Sequence, residues 1–186
     1  MLYKIDYVIN HTDIGCKNNG TFLVSSDDHF YIRPTNFAKY PVYWRGVDLP
    51  DETKVKDWDT YSKSLASTRK VLQEYGLTYH KFNWHGNTYF NTNLWKDPIF
   101  EEIKNKSLEV QEGLEPTAIM LNYWMSVAPF TSIIRPDCKF HGRCTKDNFH
   151  KKIQDREVFS CYPDIRNSYP AKWLEKNYPN KCKYEI

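Results

Sequence analysis

The chain has 186 residues, 40% of them hydrophobic and 26% charged, with a mean hydropathy of −0.72. That length suits one domain, residues 1–186, with a full core, and no apolar run approaches the ~20 residues of a membrane span. The formal charge of +3 hides an asymmetry: residues 1–134 carry 14 basic and 16 acidic side chains, whereas residues 135–186 carry 12 and 7.

The chain opens with a β-rich stretch, residues 3–9, which ends at the polar turn Asn10-His11-Thr12-Asp13. After a second turn cluster at residues 16–20, the β-prone run Phe22-Leu23-Val24-Ser25 climbs to Asp27-Asp28 and resumes as Phe30-Tyr31-Ile32. Arg33-Pro34 ends that run, and residues 34–58 read as a long Pro-punctuated loop containing Tyr43-Trp44-Arg45-Gly46. Residues 59–75 are the clearest helix, with Tyr61, Leu65, Thr68, Leu72 and Tyr75 at helical spacing and Gly76 placed as a C-terminal cap. Residues 77–82 read as a strand. Asp97-Pro98 opens a second helix with Glu101 and Glu102 near its positive end, and residues 116–127 form a third. A short β piece follows at residues 130–134, then helices near 146–154 and 170–177. Strands alternating with helices predict an α/β protein in which a mixed sheet is flanked by helices.

Three constellations bear chemistry. The first is Asp27-Asp28 with His85, which stands in a polar, aromatic loop after the predicted strand at 77–82. Adjacent carboxylates repel unless a cation or several donors neutralise them, and hard divalent cations take such oxygens, often shared with substrate phosphates. The alternative is a polar turn closing a β-hairpin. His85 is read either as part of a metal shell or substrate contact, or as a structural hydrogen-bonder. The second constellation is Cys138-x2-His141-x2-Cys144 followed by His150, ligand types that suit zinc but without a Cys-x2-Cys pair. The third is the Trp44-Arg45 loop, where Arg45 could fork onto a phosphate while Trp44 stacks on a ring, or Trp44 could simply plug a sheet edge. There is no Walker A loop, no Gly-x-Gly-x-x-Gly turn and no Gly-x-Ser-x-Gly elbow.

Composition adds two expectations. Aromatic residues reach 16%, enough to fill a core and also furnish stacking surfaces for sugars or bases. The five cysteines, at 16, 138, 144, 161 and 182, and an opening without a leader-like apolar stretch predict reduced thiols and a cytoplasmic protein, in the host cytoplasm if phage-encoded.

The order of segments resembles a family. Phe22 to Phe30 is similar to the FLYFNDDVF block of Stealth-type sugar-phosphate transferases and related GT-A-type glycosyltransferases, some of them phage-encoded. Arg33-Pro34 and Phe37 resemble that family's xRPxxF continuation, and Ile5-Asp6-Tyr7-Val8-Ile9 with Asp13 resembles its opening IDFVIxWVD strand. Ser64, Thr68 and Leu72 fall on its following helix, Asn83-Trp84-His85-Gly86-Asn87 on its histidine loop, and Asn122-Tyr123-Trp124 on its later YxYY-like helix. The likeness covers residues 3–134, with residues 135–186 as a basic C-terminal extension. Only about a dozen residues separate Asp13 from Asp27, where the family carries a longer section, so a reduced GT-A-like architecture is implied.

The resemblance implies a metal-dependent enzyme. Asp27, Asp28 and His85 would hold Mn²⁺ or Mg²⁺ on the diphosphate of a nucleotide-sugar donor, with Asp28 and His85 as the catalytic pair. Arg33, Trp44, Arg45, Asn87 and Asn122 would line the substrate, and the acceptor would be a glycan, a protein or a modified base. The competing expectation is a non-catalytic module that binds carbohydrate or nucleic acid through its aromatic residues and basic C-terminal section.

Overall fold

The computed structural model describes residues 9, 20–25, 29–36, 39–54, 59–82 and 87–179. The chain is α/β, with antiparallel and mixed sheets flanked by helices. It divides into two compact units: Met1–Val24 with Pro41–Pro136, and Ser25–Tyr40 with Asp137–Ile186. The second unit thus combines the basic C-terminal section with a stretch drawn from early in the chain.

In the first unit, β1 (Thr21–Val24) pairs antiparallel with β4 (Thr88–Asn91), Thr21 facing Asn91 and Val24 facing Thr88. The Phe22 and Phe90 rings stack at 6.0 Å across this ladder, and Asn91 Nδ2 donates to Thr21 Oγ1 at 2.9 Å. A second, parallel pair joins β3 (Val42–Trp44) to β5 (Ser132–Ile134). The stretch expected to be a loop therefore contains a strand, which three residues too short for a periodic signal complete by pairing with a partner far along the chain.

The helices follow their local signals. Helix α1 (Thr60–Glu74) starts at Asp59, whose carboxylate accepts from Ser62 N at 2.7 Å, and Gly76 at φ 65° supplies the left-handed turn that ends it. Asn91 caps the short α2 (Thr92–Trp95), and Asp97 with Pro98 opens α3 (Pro98–Glu109). Helix α4 (Pro116–Val127) is capped by Glu115 and buries six consecutive residues, Ala118 to Tyr123. Its buried face joins Val71, Phe90, Trp95, Phe100 and Ile103 in the main core, which also takes in Ile9. Ile9 itself is helical, not the end of the expected strand. The rest of that opening stretch lies outside the described residues.

Residues 77–82 are a further correction. They do not form a ladder but run antiparallel beside residues 45–49 through one bridge, Asp48 to His80, and the backbone bonds Leu49 N to Tyr79 O (2.8 Å) and Lys81 N to Val47 O (3.0 Å). A side chain from α4, described below, takes up backbone groups that a neighbouring strand would otherwise pair.

In the second unit, β7 (Val158–Cys161) is buried along its whole length between two neighbours. One is β2 (His29–Tyr31), antiparallel, with Phe30 facing Phe159; the other is the two-residue β6 (Lys139–Phe140), parallel. Helices α5 (Lys146–Ile153) and α6 (Tyr169–Asn177) complete the unit. Phe140, Phe149 and Phe159 form its centre, with Phe30, Ile32 and Trp173 packed against them. The hairpin alternative for residues 22–32 is therefore corrected: β1 and β2 lie in different sheets, β2 pairing with β7 while Phe30 and Ile32, partly buried, pack against this aromatic cluster.

Candidate functional site

Asp27, Asp28 and His85 lie outside the described residues. Their flanks are described. Val24 is the last residue of β1 and Thr88 the first of β4, and the two are Cα partners. Asp27 follows Val24 by three residues and His85 precedes Thr88 by three, so both stretches attach to the same end of one ladder. Asn87, just before β4, is buried.

Among the described residues of the first unit, the polar arrangement with most structure centres on His80. Its backbone is held by Asn122 of α4: Asn122 Oδ1 accepts from His80 N at 2.8 Å, and Asn122 Nδ2 donates to His80 O at 2.9 Å. The same amide accepts from Thr78 Oγ1 at 2.9 Å and donates to Ala118 O at 2.8 Å. An amide oxygen has two lone pairs and an amide nitrogen two hydrogens, so the Asn122 side chain has no hydrogen-bonding capacity left over. It is also fully buried. Asn122, expected at the substrate, instead clamps residues 78–80 onto α4.

The His80 ring is fixed as firmly as its backbone. Nδ1 lies 2.9 Å from Asp48 Oδ1, and the Trp44 ring sits 4.6 Å away, centroid to centroid, with Phe82 at 6.1 Å. A carboxylate can only accept, so it favours the tautomer with the proton on Nδ1, in which Nε2 of a neutral ring is the nitrogen able to accept. That is the orientation of a general base steered by an acid. The His80 and Asp48 side chains are 32% and 48% exposed, so the ring remains within reach of solvent. Trp44 is thus a neighbour of this histidine, and Arg45 follows it with its backbone N–H on Lys81 O at 3.2 Å. His80 falls in the stretch 77–82 that reads as a strand, and nothing short of Asp48 lying beside it marks it out.

Among the described residues of this unit, the Glu115 and Asp97 carboxyls are shifted in opposite directions. Burial pushes the Glu115 carboxyl up to about 7, against the lowering pull of the Ala118 and Thr117 backbone N–H groups. The residue as a whole is only partly covered; it is the carboxyl that is turned inward. Asp97 moves the other way: a hydrogen bond from the Tyr123 hydroxyl holds it below the usual carboxylate range, and burial raises the Tyr123 phenol in turn.

Arg33 belongs to the second unit and follows β2. The cysteine–histidine run lies there too, and its members have separate engagements. Cys138 is buried with Sγ 3.7 Å from Lys152 O, His141 stacks on Tyr162 at 3.9 Å, Cys144 Sγ faces Thr145 O, and His150 Nε2 lies 2.9 Å from the Tyr169 hydroxyl. No group of three or more His, Cys, Asp or Glu is gathered for a metal among the described residues. Among the described residues, Cys138, Cys144 and Cys161 form no disulfide. No described helix is long and apolar enough to cross a membrane.

Neither a family model, nor a curated protein, nor a solved structure matches this chain.

Proposed function

We propose that this protein is a small, metal-dependent glycosyltransferase-like enzyme that moves a sugar, or a sugar phosphate, from a nucleotide-sugar donor to an acceptor hydroxyl. The observation that carries the reading is the β1–β4 register. Because Val24 faces Thr88, the segment with Asp27-Asp28 leaves, and the segment with His85 arrives, at one end of the same ladder.

Two carboxylates and an imidazole are a donor set that Mn²⁺ or Mg²⁺ accepts. In this reading Asp27, Asp28 and His85 hold the cation, which when bound supplies the Lewis acidity that stabilises a departing nucleoside diphosphate. The reading also needs a group to take the proton of the acceptor hydroxyl. We assign that role to His80, whose Nδ1 is held by Asp48 and whose Nε2 is left to accept. Residues 1–134 are read as a reduced GT-A-like arrangement in which β1 is the strand that leads to the paired aspartates.

The test is a thermal-shift panel of nucleoside diphosphates and nucleotide sugars, with and without Mn²⁺, on the wild type and Asp27→Asn. A rise with one nucleotide that needs Mn²⁺ and disappears in Asp27→Asn supports the reading. Absence of any Mn²⁺-dependent rise rejects it and turns attention to a non-catalytic binding module. Where donor binding is found, His80→Gln should leave it intact and abolish transfer, and Asp48→Asn should slow transfer less.

A further inference from the structure

The second unit contains a cleft of about 480 Å³ lined by Ile32, Arg33, His150, Lys151, Gln154 and Trp173, with Ile153 beside them. That volume falls in the range of small-molecule sites. Its chemistry is one-sided. Arg33, Lys151 and His150 contribute nitrogen donors, Ile32, Ile153 and Trp173 contribute an apolar wall, and among the described residues no carboxylate lines the space.

Cationic residues in the last turn of a helix usually answer its dipole, and Lys151, Lys152 and His150 occupy the last turn of α5. That explanation does not extend to Arg33, which comes from the end of β2 and is brought to the same cleft by the β2–β7 pairing. Nor are the lysines equivalent: Lys152 Nζ lies over the Phe140 ring at 5.5 Å, while Lys151 lines the cleft. Arg33 is anchored, donating one Nη2 hydrogen to the Gln154 carbonyl, and a guanidinium has four further N–H donors. His150 is held by the Tyr169 hydroxyl.

We infer that this cleft binds a phosphomonoester whose adjoining ring, a base or a sugar, lies against Trp173, with Arg33 and Lys151 on the phosphate. Arg33 supplies fork geometry that suits phosphate oxygens, and Lys151 acts as a point charge. The inference does not rest on the metal-dependent donor reading: that reading also set Arg33 at the substrate, but no residue of the cleft is a proposed metal ligand, so binding in chelator separates the two.

Calorimetric titration of the full chain in chelator and low salt tests it with four probes: uridine monophosphate, glucose 1-phosphate, uridine and inorganic phosphate. The expected result is one site for at least one of the two monophosphates, tighter than inorganic phosphate, with no heat from uridine. Which monophosphate binds more tightly identifies the ring. Arg33→Gln and Lys151→Gln, both at exposed positions, should each weaken binding roughly tenfold or more, the loss of one charge-assisted contact, with melting lowered only slightly and the same cooperative transition. The inference is overturned if neither monophosphate binds, if inorganic phosphate binds as tightly as both, if uridine binds, or if binding survives both substitutions. It is equally overturned if a thymidine oligonucleotide binds with affinity that grows with length while the monophosphates do not bind, since that describes a polyanion surface.

Discussion

Replacing Asn122 separates a structural clamp from a substrate contact. In Asn122→Ala the His80 N–H and C=O both lose the partner that Asn122 supplies, as does the Thr78 hydroxyl. Each partly buried backbone group left without a partner costs about 1–3 kcal/mol, and the hydroxyl can turn elsewhere. Removing the amide from a fully buried position adds a cavity, so the sum is about 3–5 kcal/mol. That is a large part of the 5–15 kcal/mol typical of a folded domain. Urea unfolding followed by tryptophan fluorescence measures it. With a slope of about 2 kcal/mol/M, the midpoint should fall by roughly 2 M while the slope stays the same. Asn122→Asp keeps the acceptor but loses the donor to His80 O and Ala118 O, so it should fall by a similar amount. A loss under about 1 kcal/mol in Asn122→Ala, together with lost nucleotide-sugar binding, would refute the clamp.

Glu115 predicts a pH dependence. Its carboxyl titrates near 7 when folded and near 4.5 when unfolded, so the native state holds the extra proton between those values. Stability contributed by the neutral carboxyl is therefore full below 4.5 and falls as pH rises to about 7, by roughly 3 kcal/mol. Glu115→Gln keeps an acceptor for Ala118 N and cannot ionise, so it should match wild type near pH 4 and exceed it at pH 7.5; a constant difference from pH 4 to 8 would contradict this. Gly142→Ala tests a close approach in the second unit, where a Cβ would run into the Asp164 carbonyl oxygen. Overpacking against backbone should cost about 1–3 kcal/mol, and an unchanged melting temperature would show that the two segments part easily.

What the sequence revealed and what it withheld divide along sequence distance. Asp59, Asp97 and Pro98, Pro116 and Gly76 announce helix ends through contacts within four residues, so α1, α3 and α4 were legible. The strands were legible as β-prone runs, but their partners were not: Phe22 faces Phe90, Phe30 faces Phe159 and Trp44 faces Ile134. Residues 77–82 carry a strand-like composition, yet Asn122 occupies backbone groups that a ladder would have used. The same residue shows why site reading is harder than fold reading. An asparagine in an apolar helix looks like a ligand contact until its four hydrogen bonds are seen. His80 is set apart from any other histidine only by Asp48 and Trp44 beside it, residues more than thirty positions away in the sequence.

The pairing of β2 with β7 has a consequence for the order in which the chain acquires structure during its synthesis. His29 leaves the ribosome about 130 residues before its partner Ser160. At 5–20 residues per second, β2 waits roughly 6–26 s with its hydrogen-bonding edge and Phe30 uncovered. Residues 25–40 must also wait tethered at both ends, because the chain on either side belongs to the first unit. The nascent protein thus carries an aromatic, strand-prone stretch through the synthesis of the next ~130 residues, which is where a chaperone would engage it and where a stalled chain would aggregate first.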